Sequence, residues 1–129
     1  MSEFVLDASA LLAMLNEEPG GAKVADNIAS ARICVINYAE VISHFIRLGM
    51  PERDIDAMLV PLPMEVVPAD KGLGKIAGRL RRVTAQAGLS LGDRFCLALA
   101  LRDGLRAWTA DKVWKTVEKD VEVDIVTIR

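Results

Sequence analysis

Five short apolar runs, each separated from the next by one or two segments of helical length, limit what this chain can become more than any other feature. They are Phe4-Val5-Leu6, Ile33-Cys34-Val35-Ile36, Met64 to Val67, Leu105-Arg106-Ala107-Trp108-Thr109 and Val121 to Ile128. Strands that alternate with helices are joined by crossovers, which lay helices over both faces of a parallel sheet. The expected fold class is therefore α/β, a three-layer sandwich whose five-stranded parallel sheet is flanked by helices. The last run alternates apolar and acidic residues over Val121-Glu122-Val123-Asp124 and is expected to be an edge strand.

The segments between these runs carry helix start and stop signals. Ala8 to Glu18 is nearly all Ala, Leu and Met and is closed by Pro19-Gly20-Gly21; Gly21 to Ser30 forms a second helical segment. A helix over 38–48 stops at Gly49-Met50-Pro51, and Pro51 starts another that runs to Leu59, at a position where its missing N–H costs nothing. Asp70 caps a long helix reaching about Ala87, whose apolar positions Leu73, Ile76, Ala77, Leu80, Val83, Thr84 and Ala87 recur at three- and four-residue steps. Gly88 ends it. Ser90 caps a helix from Leu91 to Asp103 that Gly104 stops, and Asp111 to Glu118 is a last short helix. The link at Gly88 is too short for both helices between strands three and four to run antiparallel to the sheet, so one must lie oblique.

With 129 residues the chain has the length of one domain, 1–129. At 52% hydrophobic and 26% charged it is too apolar for intrinsic disorder and too interrupted for a membrane bundle. Sixteen Lys and Arg against eighteen Asp and Glu leave a net charge of -2, which excludes a whole-molecule attraction to phosphate backbones. Nucleic-acid contact must then come from a local patch or through a bound cation. The start, Met1-Ser2-Glu3-Phe4-Val5, lacks the basic region of a secretory signal, and a cytoplasmic location is expected. Cys34 and Cys96 lie in apolar segments without metal-ligand spacing and are expected to be buried free thiols.

Ligands of parallel α/β sheets bind outside the carboxyl ends of the strands. Asp7 directly follows strand one, Asp111 nearly follows strand four, and Glu40 lies in the first turn of the helix leaving strand two. Asp93 opens the helix that turns at Gly104 into strand four, so its start lies at the same edge. Each acid also has a plain structural reading. Asn37-x-x-Glu40 and Ser90-x-x-Asp93 fit capping boxes, and Asp7 and Asp111 can cap the helices that follow them. Convergence changes the balance. Six repulsions among four carboxylates about 7 Å apart, at an effective dielectric of about 20, cost roughly 2 to 3 kcal/mol each. Their sum rivals the stability of a domain, so the cluster must be partly protonated or neutralised by a cation. An all-oxygen set without His or Cys suits Mg²⁺, or Mn²⁺ in its place.

Val5-Leu6-Asp7-Ala8-Ser9-Ala10-Leu11-Leu12, Glu40, Ser90-Leu91-Gly92-Asp93 and Thr109-Ala110-Asp111 resemble the four acidic motifs of PIN-domain ribonucleases, in order. The resemblance runs from Val5 to Ile128, all four acidic positions are filled, and the short form is similar to VapC-type toxins of bacterial and archaeal toxin-antitoxin pairs. It implies a PIN-like sheet, Mg²⁺-dependent endoribonuclease chemistry by metal-activated water, homodimers, and inhibition by a small antitoxin. By resemblance, Asp7 and Asp93 are principal metal ligands, Asp111 a ligand directly or through water, and Glu40 completes the site. Carboxylates of this kind hold a cation that polarises the phosphate, and orient the attacking water.

Around these acids, Ser9 and Thr109 stand two residues from Asp7 and Asp111, where a hydroxyl holds a carboxylate or serves only capping and strand propensity. His44, the only histidine, lies one helical turn after Glu40; a buried polar role competes with an acid-base one. Lys71, Lys75, Arg79 and Arg82 form a basic stripe suited to RNA phosphates or simply to solvent, and Arg94 is a further cation beside Asp93. Helices 8–15 and 38–48 carry more apolar surface than one sheet face requires, which suggests partner burial. Two other classes stay open. One is a non-cleaving metal- or RNA-binding module of the same fold. The other is an aspartyl-phosphate phosphatase or receiver-like domain, which also places Asp after strand one but wants acids and a Lys that this chain lacks.

Overall fold

A computed structural model describes residues 2–129. Five parallel strands, β1 (Phe4–Leu6), β2 (Ala31–Cys34), β3 (Glu65–Val67), β4 (Arg106–Thr109) and β5 (Ile125–Thr127), form one sheet in the order β3-β2-β1-β4-β5. The α-helices of the described residues are α1 (Ala8–Leu15), α2 (Gly21–Asn27), α3 (Val35–Arg47), α4 (Glu52–Leu59), α5 (Lys71–Thr84), α6 (Leu91–Asp103) and α7 (Glu118–Val121). None is long and apolar enough to cross a membrane.

The core divides between the two faces of the sheet. Phe4 and Leu6 of β1 point to one face with Ala10, Leu11, Ile33, Val41 and Trp108. Val5 points to the other, with Cys34, Leu73, Cys96, Leu97, Ala107 and Trp114. Because successive strand side chains alternate and β1 is central, all three of its residues are buried, as its uninterrupted apolar run requires. Of the two helices joined at Gly88, α6 packs on β1, β2 and β4, whereas α5 packs on α6 and α7. The displaced helix of the sequence argument is thus α5, in an outer layer. Cys34 and Cys96 are free and buried, as expected.

Four elements differ from expectation. The run Ile33 to Ile36 is not one strand: β2 ends at Cys34, the extended N-cap of α3 (φ -66°, ψ 140°), and Val35-Ile36 form the first turn of the helix. A short apolar run does not distinguish a buried strand from the buried start of a helix. In the last run only Ile125–Thr127 is strand. Val121 ends α7, and Glu122 turns the chain with a left-handed φ of 58°. Val121 and Val123 are both buried, so the alternation that suggested a strand there reflects packing of a turn. Lys112–Val117 is a 3-10 turn rather than an α-helix, and α1 stops at Leu15 rather than at Glu18.

The contact between α1 and α2 is close enough to require glycine. A Cβ built on Gly21 would lie 2.2 Å from the Ala13 carbonyl oxygen, a backbone atom that cannot rotate away. Gly21→Ala should therefore destabilise the protein by about 1–3 kcal/mol, read as a lower urea midpoint. Gly74 and Gly78 on α5 have nothing within 4 Å of an added Cβ. Alanine at either site should instead stabilise the helix by about 0.5–1 kcal/mol.

Candidate active site

The order in which strands are added reverses between β1 and β4, with β2 and β3 on one side of β1 and β4 and β5 on the other. In open α/β sheets the crevice at such a switch point, beyond the carboxyl strand ends, is where ligands are held. The Asp7 N–H donates to Trp108 O at 3.1 Å and so extends the β1–β4 pairing by one residue. Asp7 is thereby set beside Thr109 at the mouth of that crevice.

Asp7 is buried (3% exposed) and bound on every side by donors. It is the N-cap of α1, accepting from Ala10 N at 2.9 Å. The Ser9 hydroxyl lies 2.8 and 2.9 Å from its two oxygens, and Thr109 Oγ1 donates to Oδ2 at 2.8 Å. These hydroxyls are fixed in turn: Ala110 N donates to Ser9 Oγ and Asp111 N to Thr109 Oγ1, each at 3.0 Å. A four-residue stretch of β4 and its exit is thus laced to the start of α1 through one carboxylate. Burial raises the Asp7 pKa from 3.8 to about 7 against the lowering effect of Ala10 N, Ser9 and Thr109, and the Asp93 charge adds to the rise.

The other acids arrive from three further elements. Ser90 and Asp93 form a full capping box: Ser90 Oγ accepts from Asp93 N at 3.1 Å and the Asp93 carboxylate accepts from Ser90 N at 2.9 Å. Burial pushes the Asp93 pKa up, and the charge of Asp111 adds to it. Asp111 caps the 3-10 turn, accepting from Val113 N at 2.9 Å. Glu40, in the second turn of α3, also has a raised pKa, first through burial and then through the charge of Asp93. Asp93 thus stands at the centre, in electrostatic reach of each of the other three. Asp7, Asp93 and Asp111 each cap the element that follows and also act on one another electrostatically through Asp93.

Asn37 corrects the sequence reading. Because α3 starts at Val35, Asn37 lies inside the first turn and caps nothing. Its side chain is buried (1% exposed) and its amide nitrogen donates to Glu40 Oε1 at 2.8 Å and to Gly92 O at 2.9 Å. The contact with Gly92 is not legible in the sequence, because nothing local brings α3 to the start of α6.

The charge balance of the site is one-sided. The ion pairs of the described residues join Arg32 to Glu65 and Asp103, Arg53 to Asp54, Arg102 to Asp103, Lys115 to Glu118 and Arg129 to Glu18; none includes Asp7, Glu40, Asp93 or Asp111. Arg94 does not neutralise the cluster by contact, because its guanidinium is buried in the α5–α6 seam and donates to Ala77 O at 3.2 Å. Among the described residues no three His, Cys, Asp or Glu side chains are close enough to hold one ion between them. The Asp93 and Asp111 carboxylates turn back onto their own helix starts. The donor set nevertheless fits a hard divalent cation, being all-oxygen, anionic and unpaired.

His44 touches no acid of the site. Its ring meets Phe45 edge-on, and with Ser43 and Arg47 it lines a shallow groove that begins at Glu40. Lys71, Lys75, Arg79 and Arg82 are all exposed on α5, opposite its buried Leu73, Ala77, Leu80 and Thr84.

Comparison with known proteins bears on the fold and the family. Among solved structures, a DNA-bound VapBC complex from Salmonella typhimurium includes a chain matched over 100% of both chains at 19% identity and a TM-score of 0.77. A toxin-antitoxin complex from Klebsiella pneumoniae matches over 98% of both chains at 16% identity and a TM-score of 0.73. A member of the VapBC family of toxin-antitoxin systems from Mycobacterium tuberculosis matches over 98% of both at 21% identity and a TM-score of 0.61. These likenesses establish a shared fold. No curated protein sequence matches significantly. The profile of the PIN domain matches residues 4–120, nearly the whole chain and all four acids, and the protein therefore belongs to the PIN-domain family.

Proposed function

We propose that the protein is a divalent-cation-dependent endoribonuclease, the VapC-type toxin of a toxin-antitoxin pair. The observation that carries this reading is that Asp7, Glu40 and Asp111, from three different elements, each lie in electrostatic reach of Asp93 at the switch point of the sheet, with none of the four in an ion pair of the described residues. Asp7 and Asp93 are assigned as the principal ligands, with Asp111 and Glu40 completing the set. A bound Mg²⁺, or Mn²⁺, would polarise the phosphate and lower the pKa of the attacking water. The protein's part is to hold the anionic oxygens in place, and Ser9 and Thr109 do so at Asp7 with hydroxyls that the backbone itself orients. No side-chain nucleophile is needed.

Membership of the PIN-domain family and the toxin-antitoxin complexes among its structural relatives support an antitoxin partner. So does the apolar surface that the fold leaves open: Ile46, Leu48 and Val60 are 49%, 63% and 74% exposed around the α3–α4 hairpin. A homodimer would draw on the same kind of surface. The strand order speaks against the receiver-like alternative, whose doubly wound sheet runs 2-1-3-4-5.

Purified protein incubated with RNA and Mg²⁺, with EDTA as control, tests the reading directly. Cleavage that EDTA abolishes is expected; RNA or metal binding without cleavage would instead establish the non-cleaving module. Charge reversal at Lys75 and Arg79 then tests the basic stripe. Weaker RNA binding with a shallower salt dependence is expected, with metal-induced stabilisation unchanged. Affinity that stays the same across a salt titration would return the stripe to solvent.

A further inference from the structure

Asn37 is a costly residue where it stands. It is 1% exposed, and its side-chain oxygen is buried with no hydrogen-bond partner. An apolar side chain of the same size would avoid that penalty, so fold stability does not account for the amide. Its nitrogen, by contrast, is fully used. One proton goes to Glu40 Oε1 and the other to Gly92 O, and both partners are acceptors, which settles the orientation of the amide.

The two acceptors belong to different elements. Glu40 is on α3, and Gly92 is in the first turn of α6, immediately before Asp93. A second observation on Gly92 is independent of the amide. A Cβ there would lie 2.3 Å from Glu40 Oε2 and 2.6 Å from its carboxyl carbon. The missing side chain of Gly92 is therefore the space that the Glu40 carboxylate occupies. One residue pulls Glu40 onto the start of α6 and the other leaves room for it.

We propose that Asn37 is a positioning residue, which, with Gly92 as its seat, fixes the carboxylate of Glu40 against the start of α6 and so sets its place relative to Asp93. The proposal rests on the nuclease reading for its consequence, but the placement itself is a property of this chain alone. Without the amide, Glu40 would be a partly exposed side chain with three rotatable bonds, free to leave the site. A displacement of about 1 Å in a catalytic constellation is enough to cost on the order of 100-fold in rate.

Asn37→Leu is the informative variant, because it keeps the branched heavy-atom outline at a somewhat larger volume, removes the unpaired oxygen and deletes the latch. Its melting temperature should equal or exceed that of the wild type. Its kcat on RNA in Mg²⁺ should fall roughly 10- to 100-fold with little change in KM, and no further loss should occur when it is added to Glu40→Ala, where nothing remains to be positioned. Gly92→Ala should reproduce the loss in kcat by displacing the same carboxylate. Side-chain NMR of Glu40 reads the placement without RNA or metal: one dominant rotamer in the wild type, and averaging over several in Asn37→Leu. A Glu40 that stays in one rotamer in the variant, or losses that multiply in the double variant, would overturn the proposal. If the wild type does not cleave RNA but Glu40 is released in Asn37→Leu, the latch stands and the nuclease reading fails.

Discussion

Asp7→Asn should abolish RNA cleavage and yet yield a protein that is more stable than the wild type above neutral pH. The amide is nearly isosteric, and its oxygen can still accept from Ala10 N as the cap of α1. The nitrogen then faces Thr109, whose hydroxyl can turn to accept from it, with the Thr109 proton redirected to Ser9 Oγ at 3.3 Å. What is lost is the anionic ligand.

The stability gain follows from the raised pKa. A carboxyl whose pKa is 3.8 unfolded and about 7 folded binds more protons in the native state between those values. Its contribution is fully present below pH 3.8 and is lost as pH rises through about 7, a span worth on the order of 4 kcal/mol. The wild type should therefore lose stability from about pH 4 to pH 7 relative to Asp7→Asn, with the two most alike at the acid end. Urea titrations at several pH values read this difference. Wild-type cleavage rates in purified Asp7→Asn would remove Asp7 from the site, and parallel stability profiles would remove the buried, protonated carboxyl.

The second large effect is that of metal on the same cluster. A cation that binds only the folded state at 100 times its Kd stabilises by about 2.7 kcal/mol, which for a domain of this size is a rise in Tm of roughly 10 °C. Millimolar Mn²⁺ or Mg²⁺ should produce such a rise over EDTA. Because the Asp7 pKa is raised to about 7, binding near neutral pH should also release protons, seen by calorimetry as a heat that changes with the buffer's ionisation enthalpy. Asp93 acts electrostatically on both Asp7 and Glu40, so the release belongs to these acids together rather than to a single one. Superimposable melting curves in EDTA and Mn²⁺ would rule out a metal cluster here.

Much of this molecule was determined by the sequence alone. The apolar run Phe4-Val5-Leu6 has no polar face to offer solvent, so it had to be a central strand, and glycine at 88 and 104 had to end helices because both positions take a left-handed φ, 74° and 66°. Four acids just beyond strand ends or at helix starts placed them at one edge of the sheet, because in parallel α/β topology that position follows from chain direction. The basic stripe on α5 was legible for the same reason, since helical period alone sets which side chains share a face.

Other features were decided only in three dimensions. The end of β2 at Cys34 depended on how Ile36 packs, which a run of four apolar residues does not encode. The placement of α5 in an outer layer came from competition for the sheet, won by α6, whose residues from Cys96 to Ala100 are all buried. Arg94 sits next to Asp93 in sequence but turns into the α5–α6 seam, because one step along a helix rotates a side chain by about 100°. Asn37 was legible only as a cap, whereas its partner Gly92 lies 55 residues away on another helix. Sequence pattern brings residues to an edge through local period and chain direction; which carboxylate is held, by which amide, and against which bare glycine are contacts between distant segments, and these exist only once the layers have packed.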